Sequence, residues 1–268
     1  NGSDISCAGG SDGQLTVTAS GGDGVYSYVL NEDIGNTTGN AGGVYTGLSS
    51  GSYTVTVTDG NGCSVVTTSV TVSDPPVLTA GLVGTDMSCN GSGDGTVTAT
   101  AGGGTGTYSY DLEDNLGTPI ANTTGDVTGA YTGLASGSYQ VVVTDVNGCV
   151  VTSNIIVISE PAAVTAGTTE SLYSGGFNVS CSGAADGYIE VTASGGTGNY
   201  TFTLGGAATL VQTQPGAVYR FTGLGSGGYT IDVEDANGCS MAPTLNVTLT
   251  APVSVTASAL VNSIHNGS

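Results

Sequence analysis

The chain contains an internal repeat, and this repetition constrains the fold more than any other feature of the sequence. One block ends in Asn-Gly-Cys and occurs as GLSSGSYTVTVTDGNGC, GLASGSYQVVVTDVNGC and GLGSGGYTIDVEDANGC at residues 47–63, 133–149 and 223–239. A second block, which begins with Ser-Cys, precedes each copy at residues 6–28, 88–110 and 180–202. Matching cysteines recur every 82 to 92 residues, which is close to the length of a small β-sandwich domain.

Each copy has the residue pattern of β-strands. In residues 53–58, Tyr53, Val55 and Val57 alternate with threonines, and residues 14–19 alternate in the same way. A period of two with one apolar face is typical of a strand that packs on a core and faces water on its other side. The chain has 47 Gly, yet these show no three-residue period, so they indicate turns rather than collagen. The sequence predicts an all-β fold of three tandem immunoglobulin-like β-sandwich domains, plus a C-terminal strand belonging to a following unit.

The predicted domains are repeat 1 (residues 1–75), repeat 2 (76–161) and repeat 3 (162–251), followed by residues 252–268. A strand-like lead, PPVLTAGLVGTDMSC or PAAVTAGTTESLYSGGFNVSC, precedes the Ser-Cys block of repeats 2 and 3, whereas repeat 1 has none. Another lead, APVSVTASALVNSIHNGS, follows repeat 3. We expect residues 252–268 to serve the next unit, either within a longer chain or in a neighbouring subunit by donor-strand complementation. A mobile tail is the alternative.

The motif G-L-x-S-G-x-Y predicts a structural corner in each repeat. Its leucine is expected to plug the core, and its tyrosine begins the next strand as in the tyrosine corner of β-sandwiches. Stacking of these tyrosines on sugars is the alternative, which the alternation disfavours because it points the rings inward. The corner residues are Leu48, Tyr53, Leu134, Tyr139, Leu224 and Tyr229.

Six cysteines fall two in each repeat at matching places, which indicates an oxidising compartment. A domain that recurs as a unit should carry its own disulfide, so we expect one bond within each repeat. The predicted pairs are Cys7–Cys63, Cys89–Cys149 and Cys181–Cys239. Buried free thiols are the alternative. A zinc site is disfavoured because the chain has one His and no C-x-x-C motif.

The segment D-x-N-G follows an alternating strand in each repeat and predicts a hairpin turn in which Asn-Gly supplies a positive φ. It also resembles the start of a calcium loop, although the distal Glu of an EF-hand is missing. A calcium site shared with the aspartate of the S-x-x-x-D-G stretch is therefore the alternative, and no other cofactor is expected. The candidate ligands are Asp12, Asp59, Asn61, Asp94, Asp145, Asn147, Asp186, Asp235 and Asn237.

Charge and residue usage exclude several classes of function. The formal net charge is -20, with Arg220 as the single Arg and no Lys, which disfavours binding to nucleic acid and anionic membranes. No apolar run is long enough to cross a membrane. His265 is the single His, and no nucleophile and base are paired in a recognisable context, so we expect no enzyme activity.

Eight N-x-[ST] sequons make glycosylation a further hypothesis that depends on the host. Two of them form matching Asn-Thr-Thr copies at residues 36–38 and 122–124. The candidate acceptors are Asn36, Asn90, Asn122, Asn178, Asn199 and Asn246.

Taken together, the two blocks resemble the SprB-type repeats of very large Bacteroidetes cell-surface proteins. The matching pattern is SC-x-G-x-x-D-G with alternating V-T-A, then G-G-T-G-x-Y, then G-L-x-S-G-x-Y-x-V-x-V-x-D-x-N-G-C. The resemblance implies an immunoglobulin-like repeat of a secreted adhesin or surface filament, with no catalytic residues. Members of the family often carry a Trp soon after G-x-Y-x-Y, where this chain has Val29, Asp111 and Thr203.

Two functions from different classes follow. The first is a structural repeat segment of an extracellular or cell-surface filament, stalk or giant adhesin, linked head-to-tail to copies of itself. The second is an adhesin module that recognises surface glycans, with calcium as a cofactor. Ice binding through flat threonine arrays is a third hypothesis, disfavoured because outward threonines are normal in strands.

Overall fold

The computed structural model describes residues 2–207 and 209–260, whose regular secondary structure consists of β-strands. This part of the chain confirms the predicted all-β class, and it contains no helix of the length and hydropathy needed to cross a membrane. It divides into two compact units. The first contains the residues up to Asp86 together with Gly93–Ser159, and the second contains Met87–Ser92 together with the chain from Glu160 onward.

The first unit begins with the strands of repeat 1. They pair in three antiparallel sheets, with the orders β1-β2-β4, β3-β6-β7 and β5-β8. The strands are β1 (Gly2–Ser3), β2 (Gly13–Thr16), β3 (Tyr26–Leu30), β4 (Val44–Leu48), β5 (Gly51–Tyr53), β6 (Val55–Asp59), β7 (Ser64–Val66) and β8 (Val70–Val72).

The same unit contains the strands of repeat 2. One sheet has the order β12-β10-β9, and the other has β11-β13-β14 with β15 also paired to β13. The strands are β9 (Thr79–Thr85), β10 (Gly95–Gly102), β11 (Tyr108–Asp114), β12 (Ala130–Leu134), β13 (Gly137–Asp145), β14 (Val150–Thr152) and β15 (Ile156–Ile158).

The second unit contains the strands of repeat 3. Its two sheets have the orders β16-β17-β20 and β19-β18-β21-β22, a distribution typical of an immunoglobulin-like sandwich. The strands are β16 (Thr165–Glu170), β17 (Gly187–Ser194), β18 (Tyr200–Gly206), β19 (Leu210–Gln214), β20 (Val218–Leu224), β21 (Gly227–Glu234) and β22 (Leu245–Leu249).

The strands exist because their apolar residues alternate. On β17, Ile189 and Val191 are buried while the residues between them are not, and on β21 Ile231 and Val233 behave in the same way. These side chains and Phe202 of β18 lie in one core that contains residues of both sheets. Burying an apolar side chain of this size contributes roughly 1.5–3 kcal/mol, so the alternation is the main force that assembles each sandwich.

Repeat 1 differs from the other two in one strand. Its β2 has four residues, whereas the counterparts β10 and β17 have eight each. In repeats 2 and 3 the lead forms β9 or β16 and pairs along β10 or β17, while β2 pairs at that edge with the two-residue β1 alone. The Val17 N–H still donates to Gly43 O at 2.8 Å, but no strand of the described residues pairs with the other edge of the segment after Thr16, so the strand ends there. The predicted strand over residues 14–19 is therefore too long, and the predicted domain boundaries stay predictions.

Candidate functional site

The Ser-Cys loop lies at the end of each sandwich where the chain leaves the repeat, which we call the exit end. In repeat 1, Asp4 Oδ1 accepts the Ser73 N–H at 2.8 Å, and the Ile5 N–H donates to Ser73 O at 3.1 Å. Asp86 accepts from Ser159 in the same way at 2.7 Å, and in repeat 3 Asn178 accepts from Thr250 at 2.9 Å. These contacts fix the cysteine loop beside the last strand of its own repeat.

The Asn-Gly-Cys turn lies at the opposite end, where the lead enters, which we call the entry end. In repeat 2, Asp145 Oδ1 accepts the Cys149 N–H at 2.9 Å and its Oδ2 accepts the Thr105 N–H at 2.9 Å. The neighbouring Gly104 N–H donates to the lead carbonyl of Pro76 at 2.8 Å. Repeat 3 repeats this geometry, with Asp235 bonded to Thr197 at 2.8 Å.

The structure pairs the cysteines differently from the prediction. The disulfides are Cys7–Cys149 and Cys89–Cys239, each with a Cα–Cα distance of 5.6 Å, and Cys63 and Cys181 are free and exposed. Each bond joins the Ser-Cys loop of one repeat to the Asn-Gly-Cys turn of the next. The predicted pairs Cys7–Cys63, Cys89–Cys149 and Cys181–Cys239 are therefore wrong.

The length of the sandwich explains why a bond within one repeat cannot form. In repeat 2, β13 runs from Gly137, which pairs with Ile158 at the exit end, to Asp145 at the entry end. At about 3.3 Å per residue this strand separates the two ends by about 26 Å. A disulfide requires Cα atoms within about 7 Å, so the two cysteines of one repeat are too far apart.

The asparagine of each D-x-N-G turn contacts the Ser-Cys loop to which its cysteine is bonded. Asn147 Nδ2 donates to Ser6 O at 3.1 Å, and Asn237 Nδ2 donates to Ser88 O at 3.0 Å. The sequence pattern indicates these asparagines only as turn residues or calcium ligands. Their recurrence two residues before each bonded cysteine was the available signal for this role.

An acidic residue at the start of the lead holds the Ser-Cys loop from its other side. Asp74 accepts the Gly9 N–H at 3.1 Å, and Glu160 accepts the Gly91 N–H at 2.8 Å. The loop is therefore bonded both to the lead and to the turn that follows the lead. The junction between two repeats therefore consists of a disulfide, a hydrogen bond donated by an asparagine side chain, and a hydrogen bond accepted by an acidic residue, which we call the acidic cap.

Repeat 1 has the same entry end, where no described residue occupies the place that the lead takes in repeats 2 and 3. A groove of about 520 Å³ lies there, between the residues that follow β2 and the residues of β7. We call this the entry groove of repeat 1. Its lining residues are Val17, Thr18, Ala19, Ser20, Gly21, Gly22, Tyr26, Val57, Asp59, Cys63, Ser64, Val65, Val66 and Thr67.

The positions in repeats 2 and 3 that correspond to the entry groove are covered by the lead. A Cβ at Gly103 or Gly195 would overlap a carbonyl oxygen of the lead, whereas a Cβ at Gly21 would meet nothing within 4 Å. On the facing strand, Val65 is 65% exposed while Met241 of repeat 3 is 7% exposed. The entry groove of repeat 1 is thus an exposed apolar surface, and the lead covers the corresponding surface in repeats 2 and 3.

The aspartates proposed as calcium ligands are engaged in hydrogen bonds to the backbone. Burial raises the pKa of Asp145 and Asp235, but the N–H groups of their own turns outweigh it and hold each pKa below its ordinary value. Hydrogen bonds from Ser6 and Ser180 likewise lower the pKa of Asp12 and Asp186.

In repeat 1, Asp59 accepts from the N–H groups of Asn61 and Cys63, and Asp94 is exposed in repeat 2. Within residues 2–207 and 209–260, no three His, Cys, Asp or Glu side chains are grouped as metal ligands would be. Calcium binding stays a prediction.

The six corner residues are buried, with each leucine and tyrosine in the core of its repeat. Each tyrosine hydroxyl donates to the carbonyl four residues upstream. The pairs are Tyr53 to Ser49 at 2.8 Å, Tyr139 to Ala135 at 2.9 Å and Tyr229 to Gly225 at 2.9 Å. This is the geometry of a tyrosine corner, and it turns the chain into the strand that ends at the Asn-Gly-Cys turn.

The matching Asn-Thr-Thr sequons form a clasp that secures a loop. Asn36 Nδ2 donates to Thr46 O at 2.9 Å while its Oδ1 accepts the Thr38 hydroxyl at 2.7 Å, and Asn122 makes the same contacts with Thr132 and Thr124. The amides of Asn90 and Asn178 also donate to backbone carbonyls, and Asn199 and Asn246 are exposed. Glycosylation stays a prediction.

Solved structures similar to the chain contain tandem immunoglobulin or adhesion-protein domains. Sidekick-1 immunoglobulin domains 1–5 are 14% identical with a TM-score of 0.37, and the match covers 93% of this chain and 57% of that one. The N-terminal eight immunoglobulin domains of Down Syndrome Cell Adhesion Molecule isoform 1.30.30 are 11% identical with a TM-score of 0.40, covering 94% and 36%. A tetra-tandem repeat in the extending region of a large adhesion protein is 17% identical with a TM-score of 0.25, covering 92% and 73%.

No curated protein sequence matches the chain. The family described as SprB repeat matches it at residues 1–33, 83–117 and 178–209. Each matched segment includes a Ser-Cys loop and the strands that follow it. The chain is therefore similar to SprB repeats at three places along its length.

Proposed function

We propose that the chain is a structural segment of an extracellular filament, stalk or giant adhesin whose repeats are linked head-to-tail. The lead that leaves one repeat completes the sandwich of the next. Residues 252–260 are the lead for a further repeat, and the entry groove of repeat 1 accepts the lead of another. Residues 261–268, which the sequence analysis assigned to the same lead, lie outside the described residues.

The observation that carries this proposal is the match between an uncovered groove and an uncovered lead. The sequence Val255-Thr256-Ala257 corresponds to Leu78-Thr79-Ala80 and Val164-Thr165-Ala166 in the two docked leads. Leu78 and Val164 are 8% and 6% exposed, whereas Val255 is 98% exposed. Covering such a side chain favours association by roughly 1.5–3 kcal/mol.

Two further observations support an extracellular location and a structural role. Disulfides persist mainly in oxidising compartments, and this chain has two. A head-to-tail contact of unlike surfaces generates an open chain of units when its rotation does not close into a ring, which is the geometry that a filament or stalk needs. Recognition of glycans is not favoured by a specific feature of the described residues, and it stays a prediction.

The test is the self-association of the full chain without added reductant, so that its two disulfides stay intact, measured by sedimentation velocity and negative-stain microscopy. We expect linear oligomers, and we expect Val255→Asp to weaken association at least tenfold because it places a charge in an apolar groove. Ser254→Asp is the matched control, since the corresponding Val77 and Ala163 remain exposed in docked leads. A wild-type chain that stays monomeric, or equal effects of the two variants, would refute the proposal.

A further inference from the structure

Two cysteines have no disulfide partner within the chain, and they are of the two kinds that bond with each other elsewhere in it. Each bonded pair joins a Ser-Cys loop to the Asn-Gly-Cys turn of the next repeat. Cys181 belongs to the Ser-Cys loop of repeat 3, and Cys63 belongs to the Asn-Gly-Cys turn of repeat 1. Both are exposed and unbonded. One free cysteine is therefore of each kind, with Cys63 in repeat 1 and Cys181 in repeat 3.

The loop around Cys181 already has the shape of its bonded counterparts. Asp186 accepts the Ser180 N–H at 3.1 Å, as Asp12 accepts the Ser6 N–H at 3.1 Å beside bonded Cys7. The preceding Val179 is buried and donates to Thr250 O at 3.2 Å, which fixes the loop at the exit end of repeat 3.

The turn around Cys63 is also preformed. Asp59 Oδ1 accepts the Cys63 N–H at 2.8 Å and the Asn61 N–H at 3.1 Å. Asp145 makes the corresponding bonds in the turn of bonded Cys149, at 2.9 Å for both Cys149 and Asn147. Asn61 therefore stands where Asn147 donates to the carbonyl of a docked Ser-Cys loop.

We propose that Cys181 of one copy and Cys63 of a second copy form a disulfide at each head-to-tail junction. In the same junction Asn61 Nδ2 donates to Ser180 O of the other copy. This inference rests on the proposed head-to-tail function and gives it a covalent form. The proposed bond would place a disulfide between every pair of neighbouring repeats, both within a chain and between copies.

The reaction is an ordinary thiol–disulfide exchange. The Cys63 and Cys181 thiols each lose a proton and together lose two electrons, and one S–S bond forms. The electrons and protons pass to an external disulfide, such as glutathione disulfide or an oxidised dithiol oxidoreductase, which becomes two thiols. Docking of the lead brings the two thiols together and raises their effective concentration, so the cross-link follows assembly.

The experiment mixes two full-length variants, Cys63→Ser and Cys181→Ser, one of them labelled with ¹⁵N, in a glutathione redox buffer. We expect a covalent dimer that contains one chain of each kind, at least tenfold in excess over dimers of either variant. Peptic peptides should show Cys63 linked to Cys181 by mass spectrometry. The wild-type chain should give a ladder on a non-reducing gel. A statistical mixture of all three dimers, or no covalent dimer, would overturn the inference.

A second measurement separates this inference from the proposed function. The double variant Cys63→Ser/Cys181→Ser cannot form the bond, but it keeps the lead and the entry groove. If it associates in sedimentation while the mixture gives no specific dimer, the disulfide inference is wrong and head-to-tail assembly stands. If neither the double variant nor the wild-type chain associates, the proposed function itself fails.

Discussion

At the scale of single residues, a buried aspartate organises each turn that docks onto another repeat. Asp235 is 4% exposed, and its carboxylate accepts N–H groups from Cys239, Asn237 and Thr197. A carboxylate that collects several backbone donors is favoured in its charged form. These bonds place the cysteine and the asparagine of the turn where the Ser-Cys loop meets them.

The charge of this aspartate makes stability depend on pH. Burial raises the pKa of Asp235, but the N–H bonds outweigh it and the folded pKa lies below the unfolded value of about 3.9. The stabilisation is therefore complete above the unfolded pKa and is lost as pH falls through the folded pKa. We expect Asp235→Asn to lower Tm at pH 7. The difference in Tm between this variant and the wild-type chain should become smaller below about pH 4.

Asp59→Asn is the control for this measurement, because Asp23 occupies the position of Thr197 in repeat 1. The carboxylate of Asp23 cannot donate a hydrogen bond to Asp59 as the Thr197 hydroxyl does to Asp235 at 3.2 Å, so substitution of Asp59 should lower Tm less. Thermal melts by circular dichroism between pH 3 and pH 7 would check both variants. A gap between Asp235→Asn and wild type that is independent of pH would contradict this account.

At the scale of elements, alternation predicts the strands well but cannot predict which element each strand meets. The alternating residues 53–58 of the sequence do form strand, although Thr54 interrupts it because its N–H and hydroxyl bond to Glu32. Residues 17–20 alternate too, yet they lie outside the strand, because no described strand pairs beside them as β9 and β16 do in the other repeats. The alternation of apolar residues indicates which residues of a strand face the core, whereas the length of the strand depends on a partner strand that is distant in sequence.

The disulfides show the same limit of sequence reasoning. The even number and matching positions of the cysteines indicate pairing, but many connectivities are compatible with them. The choice depends on which end of the sandwich each cysteine occupies, and Cys7 and Cys63 occupy opposite ends. The spacing of cysteines along the chain does not contain that information.

Removing a disulfide should lower the free energy of unfolding far more than removing the two free cysteines. Cys7–Cys149 has a sequence separation of 142 residues, so we expect Cys7→Ser/Cys149→Ser to lower the free energy of unfolding by about 2–5 kcal/mol. The matched control Cys63→Ser/Cys181→Ser should change it by less than about 0.5 kcal/mol in the monomer, since both thiols are exposed. Guanidinium denaturation of the oxidised proteins measures both, and equal losses would contradict the pairing.

At the scale of the whole molecule, the proposed array is one in which each repeat contributes a donor and an acceptor. The lead fills the groove of the next sandwich, and the Ser-Cys loop is then bonded to the turn that the groove carries. The proposed junction keeps the disulfide and asparagine contacts, although Ala251 stands where Asp74 and Glu160 cap the loop, so adding repeats adds length without a new kind of interface. A net charge of -20 on each chain keeps such an array solvated and opposes lateral clustering.

The most direct test is to map the disulfides of the oxidised monomer by mass spectrometry. Pepsin suits this purpose, because one Arg and no Lys leave trypsin a single site. The account predicts Cys7 linked to Cys149 and Cys89 linked to Cys239, with Cys63 and Cys181 open to alkylation. Bonds within each repeat, namely Cys7–Cys63, Cys89–Cys149 and Cys181–Cys239, would contradict it.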